Sequence, residues 1–118
     1  MLPEFKGLLE AGAITYAQPS VTKLGGVTQM RKVTALAEAH GVTVVPHSAY
    51  FGPGLLASIH CIAAMPDGSL VERYDADFAE NPLHDAIHPN REGRIAVPQG
   101  PGLGIDPDPK LVQKLRVA

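Results

Sequence analysis

The alternation of helical and strand-like segments constrains the fold of this chain more than any other feature of its sequence. Apolar residues recur at three-to-four-residue spacing in three segments, which predicts helices over 3–11, 27–39 and 53–65. Each segment is followed by a short apolar run, which predicts strands near 13–17, 42–46 and 69–73. Strands that alternate with helices pair in parallel through right-handed crossovers. The sequence therefore predicts an α/β fold.

The last third of the chain has a different composition. Prolines interrupt it at positions 82, 89, 98, 101, 107 and 109, and each proline removes a backbone donor. The pattern still predicts a short strand over 94–97 and a last helix over 110–117. We therefore divide the chain into an α/β unit, 1–75, and a loop-rich carboxyl-terminal segment, 76–118. We expect that segment to pack against the unit rather than to form a separate domain.

Composition excludes several classes of partner. The 118 residues carry a formal net charge of -2 without a cluster of Lys and Arg, so neither nucleic acid nor a membrane is an expected partner. The longest mainly apolar run, 55–65, is too short to span a bilayer, and no secretory signal is visible. The single cysteine, Cys61, lies among apolar residues. We expect a soluble cytoplasmic protein in which Cys61 is a small buried side chain rather than a nucleophile.

Three polar side chains lie where the predicted strands end. Ser20, His47 and Glu72 are about 25 residues apart, which is the length of one β/α repeat. Because the carboxyl ends of parallel strands meet at one edge of a sheet, these residues and the nearby Lys23 should share that edge. Ligands bind at this edge in barrels and open α/β sheets. The spacing therefore predicts a functional site there.

Each of these residues also has a purely structural interpretation. His47 suits a general base because imidazoles titrate near neutrality, and its alternative is a histidine hydrogen-bonded at a strand end. Glu72 places a carboxyl in a strand expected to be buried, which is costly unless the group is paired or faces a site. Its alternative is an internal ion pair with Arg73 or Lys23. Lys23 itself can simply be solvated.

Metal and phosphate sites have weaker support. Among the histidines, His84 and His88 have the i, i+4 spacing of helical ligands, but they lie in the proline-rich segment. We therefore expect no metal ligands in this chain. The glycine-rich stretch 100–104 lacks the Lys and Ser/Thr that follow in a phosphate loop, and it predicts a tight turn instead.

Four motifs in order carry a resemblance to a known family. They are YAQPSVTKLGGVT at 16–28, LAEAHGV at 36–42, PHS at 46–48 and GPGLG at 100–104. Together they resemble the carboxyl-terminal part of the mandelate racemase/muconate lactonizing enzyme family of the enolase superfamily, on the mandelate racemase side. The resemblance implies a partial (β/α) barrel, made of about the last three β/α units, and a carboxyl-terminal segment that packs towards a capping domain.

The resemblance also implies roles for the strand-end residues. His47 matches the histidine that abstracts or returns a proton alpha to a carboxylate, and Glu72 matches the glutamate that contacts the substrate carboxylate. Ser20 stands where the family carries an aspartate that hydrogen-bonds the histidine. A serine supplies no negative charge, so we expect His47 to be a weaker base than in a His-Asp dyad, with the Ser20 hydroxyl still able to orient the ring. Lys23 is expected to bind substrate.

The family further implies a Mg²⁺ ion whose carboxylate ligands lie on barrel strands outside this chain. We expect a Mg²⁺-dependent acid-sugar dehydratase or racemase-like enzyme acting on a hydroxy acid or sugar acid, and a homo-oligomer. Dehydration is favoured because racemisation needs bases on both faces of the substrate.

The same considerations leave alternatives open. Three strands cannot close a barrel, so we expect the isolated chain to be an inactive fragment, with an internal start or half of a split protein as alternatives. A second interpretation is a non-catalytic module that associates through exposed sheet edges. A third is an unrelated small α/β binding module.

Overall fold

The computed structural model describes residues 2–48, 51–66, 70–74, 76 and 78–117, with the backbone alone at 84 and 85. Its elements, in chain order, are α1 (Leu2–Glu10), β1 (Tyr16–Ala17), α2 (Val21–Leu24), α3 (Val27–Ala39), β2 (Thr43–Val44), α4 (Pro53–Ala63), a 3₁₀ helix (His84–Ile87) and α5 (Pro109–Lys114). The predicted helices over 3–11, 27–39 and 53–65 therefore correspond to α1, α3 and α4.

The helices form where one face of each segment is apolar. In α3 the face carrying Met30, Val33 and Ala37 is buried, and the chain leaves the helix through Gly41 with a φ of 64°. The four-residue α2 is not predicted by periodicity because it is shorter than one apolar repeat. It forms because Ser20 caps its first turn and Gly25 ends it in the left-handed region, with a φ of 96°.

The sheet is a parallel pair, β1 and β2, in which Tyr16 is opposite Thr43 and Ala17 opposite Val44. Both strands are shorter than the predicted 13–17 and 42–46. Their pairing nevertheless continues towards the carboxyl ends, since Val45 N donates to the Ala17 carbonyl at 2.9 Å. The α/β order predicted from the sequence is confirmed for these two units.

The third predicted strand, 69–73, does not form as a regular strand. Residue 69 lies outside the described residues, and residues 70–73 do not form a strand. One backbone hydrogen bond, from Glu72 N to the Pro46 carbonyl at 3.3 Å, places this segment beside the end of β2. A ladder needs repeated bonds, and no strand of the described chain pairs with the other side of this segment.

The predicted strand over 94–97 is also wrong. The backbone instead forms a turn in which Asn90 N donates to the Arg94 carbonyl at 2.8 Å and Gly93 N donates to the Asn90 carbonyl at 2.9 Å. The Asn90 side chain accepts from the backbone N–H of Glu92 and Arg94, which provides local partners in place of a neighbouring strand. The last helix, predicted over 110–117, forms over the shorter range of α5.

Two apolar clusters make up the core. The first cluster consists of Val21, Leu24, Met30, Val33 and Cys61. The second cluster consists of Leu55, Leu56, Ile59, Leu83 and Ile87. Helix α4 contributes to both, and the second cluster is covered by apolar residues of the carboxyl-terminal segment, among them Ile95, Val97 and Leu103.

Cys61 is 7% exposed, which confirms the prediction of a buried small side chain. Burial raises the pKa of the Cys61 thiol, and the nearby positive charge of Arg31 partly offsets that shift. No helix in the described part of the chain combines the length and apolarity that a bilayer crossing requires.

A tight turn in the carboxyl-terminal segment is hydrogen-bonded to α4. His60 Nε2 donates to the Leu103 carbonyl at 3.0 Å. At Gly104, φ is 85° and a Cβ would lie 2.5 Å from the Pro98 carbonyl oxygen. The tight turn predicted over 100–104 is therefore confirmed, and its backbone approach needs glycine at 104.

Candidate functional site

His47 lies at the carboxyl end of β2, facing the end of β1. Its backbone N–H donates to the Pro19 carbonyl at 3.1 Å, which extends the β1–β2 pairing beyond the two strands. The register that pairs Ala17 with Val44 places Ser20 opposite His47 when it is continued by three residues. The predicted common edge of Ser20 and His47 is therefore present in the structure.

Glu72 reaches the same edge from the segment beside β2. Its backbone N–H is bonded to the Pro46 carbonyl, one residue before His47, and its carboxylate oxygen Oε2 contacts His47 Nδ1. The two side chains are 33% and 41% exposed, so the contact is partly screened by solvent. The structure thus brings together His47 and Glu72, which are 25 residues apart in sequence.

The contact determines what the imidazole can do. A carboxylate at Nδ1 accepts the N–H of that nitrogen and favours the tautomer whose lone pair lies on Nε2. The structure therefore places a carboxylate, that of Glu72, against the ring, while Ser20 carries no charge. The expectation that His47 is a weaker base than in a His-Asp dyad stays a prediction.

Ser20 is buried, at 6% exposed, and its hydroxyl has local partners. Its Oγ is 3.1 Å from Thr22 Oγ1 and accepts the backbone N–H of Lys23 at 3.4 Å. These contacts make Ser20 the N-cap of α2, so it shapes the loop that leaves the β1 end.

Lys23 is exposed on α2, three residues beyond Ser20. The structure does not bring it into the His47–Glu72 contact, and the ion pair that the sequence allowed between Glu72 and Lys23 or Arg73 is replaced by the contact with His47. Lys23 still lies near the carboxyl end of β1, which is the edge predicted for it from the sequence.

Arg73 was considered only as an ion-pair partner of Glu72, and its side chain extends elsewhere. Nε donates to the Ile87 carbonyl and Nη1 to the Tyr74 carbonyl, both at 3.3 Å, while Nη2 lies 3.5 Å from His88 Nδ1. Arg73 therefore fastens the Glu72 segment to the 3₁₀ helix. The sequence carries no signal for this role, because its pattern predicts a strand over 69–73.

A cluster of three aromatic rings adjoins the same two loops. Phe51, four residues after His47, lies 5.8 Å from Tyr74 and 4.5 Å from Phe78 between ring centroids, both in edge contacts. Tyr74 and Phe78 remain 57% and 61% exposed. Aromatic residues shortly after two strand ends would have been the sequence signal for this cluster.

The residues that the structure describes do not fit a Mg²⁺ site. No three side chains of His, Cys, Asp or Glu among them lie close enough together to hold a metal ion. Magnesium binds through several carboxylate oxygens, and Glu72, the carboxylate that the described residues place at this edge, is engaged by His47. A magnesium ion at this edge would need ligands from other residues.

Comparison with known proteins agrees with the fold. Residues 2–111 match the family model described as enolase C-terminal domain-like. The D-galactarolactone cycloisomerase of Agrobacterium fabrum is 36% identical over 109 residues, covering 83% of this chain and 28% of that protein. The D-galactonate dehydratase of Ralstonia pickettii is 33% identical over 119 residues, covering 92% of this chain and 30% of that protein. The chain thus spans about three-tenths of the length of these curated relatives.

Two solved structures superimpose on nearly the whole chain. A crystal structure from Roseobacter denitrificans has a TM-score of 0.78 at 23% identity, covering 97% of this chain and 33% of that one. The 3,6-anhydro-D-galactonate cycloisomerase from Zobellia galactanivorans has a TM-score of 0.75 at 27% identity, covering 97% of this chain and 32% of that one. The first of these matches bears on the fold alone.

Proposed function

This chain belongs to the enolase C-terminal domain-like family, and from that premise we propose that it forms the carboxyl-terminal part of an enzyme that removes the proton alpha to the carboxylate of a sugar acid. The observation that carries the proposal is the contact between His47 Nδ1 and the Glu72 carboxylate at the carboxyl ends of the strands. The substrate class is supported by relatives named as a galactonate dehydratase and a galactarolactone cycloisomerase.

Proton transfer would pass through His47 Nε2, because Nδ1 is engaged by Glu72. The Cα–H bond of the substrate breaks, its proton moves to Nε2, and the electron pair is delocalised into the carboxylate as an enediolate. In a dehydration, the enediolate electron pair then forms a Cα=Cβ double bond, the Cβ–O bond breaks, and the hydroxyl leaves as water with the proton of the imidazolium. One histidine can serve both steps, which is why we favour dehydration over racemisation.

The other edge residues would support this reaction. Glu72 would orient the imidazole through its contact with Nδ1, and its other oxygen remains the proposed contact to the substrate. Lys23 would attract the substrate carboxylate to the edge, and Ser20 would hold the β1 end in place through its cap on α2. The family implies Mg²⁺, which would stabilise the charge of an enediolate, but the described residues of this chain do not fit it.

We place the chain in its enzyme as follows. Residues 1–75 would supply about the last three β/α units of a (β/α) barrel, and 76–118 would return towards a capping domain. The parallel β1–β2 pair and the segment of Glu72 beside it support this arrangement. Mg²⁺ dependence, inactivity of the isolated chain and assembly as a homo-oligomer remain predictions.

The proposal is tested by steady-state kinetics of the complete natural protein on a panel of sugar acids with Mg²⁺. His47→Gln should lower kcat about 1,000-fold, the range lost with a general base, and Glu72→Gln should lower it less. His40→Gln is the matched control, because His40 is exposed at the opposite end of α3 from the edge. Equal activity in the His47 and His40 variants would contradict the assignment.

A second candidate function, association through a sheet edge, is favoured by one observation. Within the described part of the chain β1 pairs with β2 alone, and Tyr16 on β1 is 62% exposed. An open strand edge can pair with another chain. Native mass measured for the natural protein and for a Tyr16→Lys variant would separate this role, since loss of assembly with retained turnover assigns the edge to association alone.

A further inference from the structure

Two buried serines connect the residue after His47 to helix α4. Ser48 Oγ donates to Ser58 Oγ at 3.0 Å, and Ser58 Oγ donates to the Gly54 carbonyl at 2.9 Å. Both serine side chains are completely buried. Every hydroxyl in this chain of bonds therefore has a partner, which a buried polar group requires.

The Ser48–Ser58 pair is informative because two apolar side chains could fill the same space without forming a hydrogen bond. Burying two hydroxyls gives up their hydration, and packing alone could be obtained from alanine or valine. A hydrogen bond adds direction, since it fixes both the distance and the angle between its two groups. The bond between Ser48 and Ser58 thus fixes the strand end relative to α4.

Two backbone bonds flank His47 in addition to the Ser48–Ser58 bond. The N–H of His47 donates to the Pro19 carbonyl, and the carbonyl of Pro46 accepts from Glu72, so these bonds join the end of β2 to the end of β1 and to the Glu72 segment. Ser48 adds a bond from the same strand end to helix α4.

We propose that Ser48 is a positioning residue that, through Ser58, holds the His47 imidazole at the geometry in which Nδ1 meets the Glu72 carboxylate. The inference rests on the proposed function for its role in turnover, but the positioning itself is a property of the folded chain. Ser48 touches no reacting atom in this account and acts through His47.

The kinetic test uses Ser48→Ala and Ser58→Ala in the complete natural protein. Each should lower kcat about tenfold with KM changed less than about twofold, because a displaced base slows proton transfer without weakening substrate binding. The double variant should be no slower than the slower single variant, since both remove one connection. Ser48→Ala leaves the bond from Ser58 to Gly54 intact, which confines the change to the strand end.

Thr34→Val is the matched control. Thr34 Oγ1 donates to the Met30 carbonyl at 3.0 Å within α3, so this variant, like Ser58→Ala, loses one hydroxyl bond to a helix carbonyl, but away from His47. Its kcat should equal that of the parent. If Ser48→Ala does not fold, Ser48→Cys keeps the size and weakens the bond, and it should show the same loss of kcat with unchanged KM.

A spectroscopic test does not depend on substrate. The imidazole ¹⁵N and Nδ1–H resonances of His47, assigned with His47→Gln in histidine-labelled protein, report its contact with Glu72. Ser48→Ala should shift these resonances when Glu72 is present and should cause no further shift in a Glu72→Gln background. An equal shift in both backgrounds, or none in either, would overturn the inference.

The two tests separate this inference from the proposed function. A shift of the His47 resonances together with no turnover of any sugar acid would support positioning and contradict the function. Unchanged resonances together with loss of turnover in His47→Gln would support the function and contradict positioning.

Discussion

Residues 2–66 and 70–117 reach the same depth of burial by different means. In the first region, helices and the parallel pair provide partners for the backbone. In the second, the regular elements within the described residues are the 3₁₀ helix and α5, and yet Leu83 and Ile87 are 2% and 1% exposed, almost as buried as Met30 and Val33. Leu83 precedes the 3₁₀ helix and Ile87 ends it, so deep burial in the second region is reached with little regular secondary structure.

Next to two of the prolines, side-chain oxygens accept hydrogen bonds from nearby backbone N–H groups. Asn81 Oδ1 accepts from Leu83 N at 3.0 Å, and Asp108 Oδ1 accepts from Lys110 N at 2.8 Å. The candidate site joins the two regions, because His47 belongs to the first and Glu72 lies at the start of the second. His47 is held by the pairing of the two strand ends, whereas the Glu72 segment is held by one backbone bond to Pro46 and by the Arg73 side chain.

The largest effect is expected at Gly104. Gly104→Ala should lower the free energy of unfolding by about 4 kcal/mol, because it adds a left-handed backbone penalty to a clash with Pro98. Gly102→Ala, with a φ of 64° and open space around it, should cost about 1 kcal/mol. Denaturant unfolding monitored by circular dichroism measures both, and equal costs would show that the turn is not packed against Pro98.

Leu83→Ala should have the next largest effect. It should lower the free energy of unfolding by about 3 kcal/mol, because it leaves a cavity in the second cluster. Leu115→Ala, at a half-exposed position, should cost less than about 0.5 kcal/mol. Hydrogen exchange in the Leu83→Ala variant would show whether the two regions, 2–66 and 70–117, unfold together. A loss of protection confined to 70–117 would sharpen the comparison, and a uniform loss would show one cooperative unit.

Arg73→Gln should have a smaller effect of about 1 to 2 kcal/mol, since the guanidinium bonds to the Ile87 and Tyr74 carbonyls are lost. Arg94→Gln is the control, because the Arg94 side chain is 83% exposed. The His47 imidazole resonances should change in Arg73→Gln and stay constant in Arg94→Gln. No change in either would mean that Arg73 does not hold the Glu72 segment.

The smallest effect concerns the pH dependence of stability. Because burial raises the pKa of the Cys61 thiol, the folded state keeps its proton at a pH where the unfolded chain loses it. The contribution is therefore complete below the unfolded pKa and is lost as pH rises towards the folded one. Cys61→Ala should flatten the fall in unfolding free energy at alkaline pH, measured by urea titrations, and an unchanged slope would contradict the buried-thiol explanation.

The sequence predicts the first region better than the second for a physical reason. The apolar stripe of α3 and the β-branched run of β2 are local patterns, whereas Asn90 holds a turn and Asp108 caps α5 through side-chain bonds that leave no period. Val71 and its neighbours have a strand-like composition, but a strand also needs a partner, and composition does not supply one.

The sequence predicted which edge of the sheet carries the candidate site, but it did not predict which side chains contact each other there. Spacing placed His47 and Glu72 together, but it left Arg73 and Lys23 as equal partners for Glu72, since the choice depends on backbone placement beside Pro46. Ser48 was missed because a serine next to a histidine has no pattern that distinguishes a buried anchor from a solvated side chain.

The most direct test of the account is solvent deuterium incorporation at the α-carbon of sugar acid that remains unconverted while the complete natural protein acts on it in D₂O. We predict that the parent protein exchanges this position and that His47→Gln exchanges it about 1,000-fold more slowly, while His40→Gln matches the parent. Exchange at the parent rate in His47→Gln would contradict the central claim that His47, held by Glu72, transfers the proton.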